Sequence, residues 1–185
     1  MAYMKPTTVE APQESEYAPY YNRYVSLVRD SPDVLHTLRQ QAEQSKAIFS
    51  ALSDEEANFR YSQDKWTIKQ VFGHMIDTER IFAYRALRIA RNDPTPIEGF
   101  EQDDYVRYGP HSDSRMADLL EEYSGVRTAS ICLFRDLSPE AWDRRGTASN
   151  NPVSVRALAY ILAGHEAHHH AVLKERYLPA LRQAG

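Results

Sequence analysis

Sulfur is nearly missing from this chain as a ligand or a staple. Cys132 is the single cysteine, which excludes an intramolecular disulfide framework and any site built from several thiolates. A bound metal would have to be held by nitrogen and oxygen. Basic excess is missing too: the formal net charge is -4, so nothing advertises a nucleic-acid partner. No apolar run approaches the roughly 20 residues that a membrane span needs, so no membrane partner is expected. The opening stretch, MAYMKPTTVEAPQESEYAPY, lacks the apolar core of a signal peptide, and the expectation is a soluble cytoplasmic protein. Period-two alternation bounded by turns is also absent, which predicts no sheet.

What is present suffices for one domain. The 185 residues with 42% hydrophobic content are enough to bury a core and short of what two domains usually need. Pro6, Pro12 and Pro19 among Thr, Glu and Ser predict a flexible arm over residues 1–20, whose aromatic end, Tyr17 to Tyr21, can dock on the domain formed by 21–185. Ser31-Pro32 then opens an apolar pattern of helical spacing, Val34, Leu35, Leu38, Ala42, Ile48 and Leu52, which predicts a first helix over about 32–52. Ser53 to Glu56 reads as a capping box for a short helical turn. Thr67 and Gln70 form a second box, with Trp66 placed to staple onto Val71, and start a helix running to about Arg91, where Asn92-Asp93-Pro94 stops it.

Residues 92–112 carry Pro94, Pro96, Gly99, Gly109 and Pro110 and read as irregular chain. A connection that long is a functional loop or a crossover, and it lets the second and third helices lie parallel. A third helix is predicted over about 113–136, a short turn at Ser138-Pro139-Glu140, and a last helix from the Ser154 cap to about Tyr177. The fold class is all-α, a four-helix bundle.

Four of the seven histidines fall within six residues, His165-Glu166-Ala167-His168-His169-His170, just after Gly164. At 100° per residue Leu158, Leu162, His165, His169 and Val172 share one stripe, Glu166 and His168 flank it, and His170 points away from it. Two imidazoles at i and i+4 are neighbours that can bind one metal from the side. The alternatives are core histidines bonded across the bundle, or a histidine-rich surface. His74, near the start of the second helix, is structural if alone; it gains weight because bundles build metal sites from facing helices. His36 and His111 are weaker candidates. Three nitrogen ligands, His74, His165 and His169, would leave a coordination position open, as catalytic sites do. Water there could be acidified to a pKa near 7, and a thiol there would become a thiolate nucleophile.

His165-Glu166-Ala167-His168-His169 is also literally H-E-x-x-H, the metalloprotease signature with glutamate as general base. That reading needs a further ligand after the motif and an edge strand for the peptide, and neither is in evidence, so a protease is a remote alternative. Glu166 is a candidate base or partner to a ligand, but its direction, about 80° from the centre of the histidine pair, favours an exposed, solubilising glutamate. Asp77, one turn after His74, either orients a ligand imidazole or pairs with Arg80.

The segments Trp66 to Arg80, Gly99 to Tyr105 and Gly164 to His169 resemble the DinB-like superfamily, which includes bacillithiol and mycothiol S-transferases. The resemblance covers most of residues 30–178. It implies a bundle of up-down-down-up topology, often a homodimer, with a divalent metal held by His74, His165 and His169. It implies a small-molecule substrate and divided functions: thiol transfer to electrophiles, thiol-dependent isomerisation, or metal-dependent hydrolysis without a known substrate. A non-catalytic metal or ligand-binding protein of the stress response is the reading from another class. Zinc or nickel fits three imidazoles, since affinity order alone selects neither, and a low-molecular-weight thiol is the organic cofactor implied.

Overall fold

Each long helix opens where a side-chain oxygen satisfies its first free backbone N–H groups. In the computed structural model, which describes residues 9–184, Asp33 accepts from Leu35 N to start α1 (Val34–Ser50), one residue pair later than the Ser31-Pro32 signal suggests. Thr67 and Gln70 exchange reciprocal bonds of 3.1 and 2.8 Å to start α2 (Ile68–Ala90). Ser154 accepts from Ala157 N to start α4 (Val155–Val172). The remaining helix, α3 (Met116–Arg135), has no cap of its own; Asp54, from the α1–α2 connection, accepts from Met116 N at 2.8 Å. The reciprocal bonds of Ser53 and Glu56 precede a single 3-10 turn at Glu56–Asn58.

These four helices form a bundle of up-down-down-up order, as expected, with the long crossover between α2 and α3. Both α1 and α2 pack against both α3 and α4, so α1 and α2 lie on one diagonal. α4 continues through a wide helical turn, Leu173–Tyr177, into a final helical segment, Leu178–Ala184.

Two expectations are corrected. A sheet is present: β1 (Arg145–Ala148) and β2 (Asn151–Ser154) pair antiparallel. Ser149 and Asn150 turn the chain between them with φ of 50° and 62°, the backbone that a two-residue hairpin requires. Four-residue strands, one containing Pro152, are too short to show alternation. Ile97 adds a parallel bridge at Ala148, its N–H donating to Thr147 O and its carbonyl accepting from Ser149 N, both 2.9 Å. The crossover is likewise not irregular throughout, because Gln102–Tyr108 is helical and Pro110–Ser112 is a 3-10 turn.

The N-terminal stretch meets the bundle from residue 9 onward, and its first eight residues lie outside the described ones. Glu16 is buried, accepting from Ser154 Oγ at 2.7 Å and from both Nε and Nη2 of Arg156, while Tyr160 OH donates to Val9 O. Tyr17 is in the core. A short helix, Asn22–Val25, then crosses α4 at Gly164, where a Cβ would stand 2.1 Å from Tyr24 O.

The core is split. One apolar cluster joins Val34, Leu38, Phe82, Ile89, Phe134, Trp142 and residues 157–163; the other joins Phe49, Phe72, Met75, Leu119, Leu173 and Tyr177. Between them every long helix contributes buried polar groups: Gln41 and Ser45 from α1, His74, Thr78 and Glu79 from α2, Arg127 and Ser130 from α3, His165, Glu166 and His170 from α4. Buried polar groups are costly unless bonded to one another, so this layer, drawn from all four helices, has to satisfy itself by contacts among its own members.

Candidate metal centre

On one side of this layer three imidazoles converge. His74 Nε2 lies 3.0 Å from His165 Nε2, and His169 Nε2 lies 3.1 Å from the same atom. All three ligand atoms fall within 4.8 Å of one another. Ligands about 2.1 Å from a tetrahedral ion stand roughly 3.4 Å apart, so small adjustments would admit one. His74 and His165 are buried and His169 lies nearer the rim.

Burial lowers the basicity of each ring, and the other histidines nearby add to it. The His74 imidazole is pushed down to about 4 by burial, with lesser help from His111 and His168. His165 and His169 also sit well below the ordinary value, for the same first reason. Neutral imidazole is the form that binds metal, and three neutral rings converging on one point suit a divalent transition ion and nothing anionic. Thr78 Oγ1 lies 3.4 Å from His74 Nδ1, placed to hold the tautomer that leaves Nε2 free. Tyr24 packs edge-on against His165 at 5.4 Å and Trp66 lies 4.9 Å from the His74 ring, so aromatic walls restrict both.

The other sequence candidates fall elsewhere. Asp77 does not orient His74; it faces His111 Nε2 at 3.6 Å and Arg80 at 3.5 Å, and burial raises its carboxyl above the ordinary value although these two neighbours pull the other way. His111 is buried against Gly73, whose Cβ would stand 2.0 Å from the imidazole. His36 is exposed on α1. His168 flanks the cluster beside Tyr24.

Glu166 corrects the expectation of an exposed glutamate. It is buried, pairs with Arg127, and accepts from Ser45 Oγ and Tyr123 OH, each at 2.6 Å. Burial pushes its carboxyl up, and Arg127, His170, Ser45 and Tyr123 together outweigh that and leave it below the ordinary value. Arg127 also forks onto Glu79 at 2.7–3.1 Å and donates to Leu38 O. His170 points away from the cluster, as its place on the helix requires, yet it is buried with Nε2 2.6 Å from Ser45 Oγ. Arg127, Glu79, Glu166, Ser45, Tyr123 and His170 thus form one closed network behind the histidines. Its members occupy each other's hydrogen-bonding capacity, which suits a rigid support better than a proton shuttle.

The signal that could have found this network lies in α4. From Val155 to Glu166 every residue but Arg156 is buried, and a helix apolar round its whole circumference is buried on all sides. A glutamate inside such a run has no route to solvent.

Two openings flank the cluster. A cavity of about 390 Å³ is lined by His74, His165, Tyr24, Phe82, Phe100 and Ser149 among others. A second, of about 260 Å³, is lined by Trp66, His168, His169 and Tyr177. Asp103, on the crossover helix, borders both. Larger hollows, between α2 and α3 and beside Leu178, do not reach the histidines.

A family model described as the DinB superfamily matches residues 37–173, which contains all four long helices almost entire. The chain belongs to the DinB superfamily. Among relatives of this DinB chain is a protein of Oceanobacillus iheyensis named as a putative metal-dependent hydrolase, 27% identical over 127 residues, covering 68% of this chain and 72% of that one. Two solved structures share the fold. YfiT from Bacillus subtilis, a four-helix bundle of unusual topology, has a TM-score of 0.68 at 15% identity, covering 97% of this chain and 95% of its own. A mycothiol-dependent maleylpyruvate isomerase has a TM-score of 0.63 at 13% identity, covering 74% of this chain and 58% of its own. Among the described residues no helix is long and apolar enough to cross a membrane.

Proposed function

We propose that this DinB-superfamily chain is a metal-dependent enzyme acting on a small organic molecule, with His74, His165 and His169 holding one divalent ion. The observation that carries the reading is the convergence of three neutral imidazoles from two helices beside an aromatic-walled cavity of about 390 Å³. A structural site would close its coordination with a fourth protein ligand, and no Cys, Asp or Glu joins the three among the described residues. When bound, the ion would acidify a thiol or a water in its open position and so supply a nucleophile at neutral pH.

The chain's own residues do the rest. Thr78 fixes the His74 ring, and Tyr24 and Phe82 limit how the His165 ring can turn. The cavity is in the size range of small-ligand sites and has room for the body of a low-molecular-weight thiol; thiol transfer to an electrophile is the first reading. Hydrolysis is the second reading, favoured by the name of the Oceanobacillus relative.

Metal-loaded protein is assayed with a panel of low-molecular-weight thiols and halogenated or epoxide electrophiles, and in parallel with ester and amide substrates lacking thiol. Thiol-dependent turnover abolished by a chelator is expected. Turnover without thiol would favour hydrolysis, and no metal-dependent turnover in either arm would overturn the enzymatic reading.

A further inference from the structure

Arg85 is out of place electrostatically. It lies on α2 three turns beyond His74 and is only 2% exposed, yet among the described residues no carboxylate pairs with it. Every other strongly buried cation here has an acidic partner: Arg127 has Glu79 and Glu166, and Lys69 has Asp54. Arg85 has only neutral acceptors. Its Nη2 donates to Glu98 O and to Ser149 Oγ, both at 3.0 Å, and its buried Nε has no partner. A guanidinium removed from water without a counter-charge is destabilising, and its five donors are arranged to meet a carboxylate with two at once.

Its neighbours are the walls of the cavity beside the histidines. The guanidinium stands 5.5 Å from the ring of Phe82 and 5.8 Å from that of Phe100, and Phe82, Phe100 and Ser149 all line that cavity. Phe82 is in turn 6.4 Å, ring to ring, from His165. Two short steps therefore connect the metal cluster to an uncompensated cation. Helical side chains lean toward the N-terminus, which brings the guanidinium back from its Cα toward His74.

We propose that the cavity takes a small molecule bearing a carboxylate, with its reacting group at the three histidines and its carboxylate received by Arg85. The proposal rests on the metal reading above and adds the substrate class. An anion entering along Gly99, Phe100 and Ser149 replaces the neutral Ser149 hydroxyl on Nη2 and supplies the missing charge. Exposed Glu101 and Asp103 stand on the same cavity; they act at the solvent side and disfavour anions that do not reach Arg85.

The test uses the full chain loaded with Co²⁺ as a visible reporter and three thiols that differ only at the far end: 6-mercaptohexanoate, 6-mercaptohexanol and 6-aminohexanethiol. The six-carbon chains are chosen to match the two steps, 5.5 Å from the guanidinium to the Phe82 ring and 6.4 Å from that ring to His165, that separate the two ends. Thiolate-to-cobalt absorption gives each Kd. The carboxylate is expected to bind roughly tenfold or more tighter than the alcohol, the gain of a charge-assisted contact over a neutral one, with the amine weakest. Arg85→Leu is expected to erase the carboxylate's advantage while leaving cobalt content and the alcohol's Kd unchanged, and Arg85→Lys to keep part of it. Equal Kd values in the wild type, a preference for the amine, or an advantage that survives Arg85→Leu would overturn the proposal. If Arg85→Leu does not fold, the wild-type order and Arg85→Lys decide. A chain that retains cobalt yet shows thiolate absorption with none of the three thiols would overturn the proposal as well, whereas failure to retain cobalt at all would instead refute the metal reading itself.

Discussion

Replacing Arg127 by Met tests whether the network behind the histidines holds the bundle together. The arginine is 2% exposed and is the cation shared by Glu79 and Glu166, both 3% exposed. Met keeps much of the stem's volume but leaves two buried carboxylates facing each other and removes a donor from Leu38 O. Removing one partner of a buried pair costs about 3–5 kcal/mol, and here two acids lose the same partner, so the upper part of that range applies. For a chain of this size each kcal/mol moves Tm by about 2–4 °C, which predicts a fall of roughly 10–20 °C. Thermal unfolding followed by circular dichroism, with metal-free protein on both sides, is the assay. Adding Glu79→Gln and Glu166→Gln to Arg127→Met should recover part of the loss, because no buried charge then remains unpaired. A fall below about 3 °C, or no recovery in the triple variant, would refute the claim that this network is a closed ionic support.

Three further outcomes follow from the same structure. Gly164→Ala forces the short helix Asn22–Val25 off α4, because the new Cβ would meet Tyr24 O; a loss of about 1–3 kcal/mol is expected in urea unfolding, and stability within 0.5 kcal/mol of wild type would contradict the packing. Metal-free protein should lose stability as pH falls from about 6.5 toward 5. His74, held near 4 in the fold, together with His165 and His169, stays neutral there while the unfolded chain takes up protons, each group contributing up to about 1.4 kcal/mol per pH unit. Carboxylates such as Glu16, held down at about 2, act in the same direction only below about pH 4.5, so urea midpoints that are flat between pH 6.5 and 5 would count against neutral imidazoles. Thr78→Val should weaken metal binding about 10-fold or more if Thr78 orients His74, with fold and melting curve retained; unchanged metal affinity would remove Thr78 from the site.

Much of this was legible in the chain itself, for reasons that differ from element to element. The Thr67–Gln70 box and the Ser154 cap act within four residues, so local sequence determines where α2 and α4 begin, and those starts appear where expected. The row of candidate ligands is legible because His165 and His169 are one helical turn apart. What escaped depends on contacts distant in sequence. Ser149 and Asn150 reverse the chain with positive φ in a hairpin whose strands are too short to alternate, and the hairpin is completed by Ile97, some fifty residues earlier. Asp54 caps a helix that starts 62 residues later. Glu166 and Arg127 are 39 apart in sequence, and their pairing depends on α3 and α4 facing each other across the bundle interior. The glycines in Gly73-His74 and Gly164-His165 have a common reason visible only in three dimensions: each lets a covering group, the His111 ring or the Tyr24 backbone, close down on a helix beside a histidine.

The account stands on metal held by three histidines, and elemental analysis of untagged protein purified without added metal tests that most directly. One divalent transition ion per chain is predicted in the wild type, falling to a small fraction in His74→Ala and in His165→Ala while circular dichroism shows the bundle intact. A wild-type protein that holds no stoichiometric ion even after incubation with zinc or nickel, or variants that keep theirs, would contradict it.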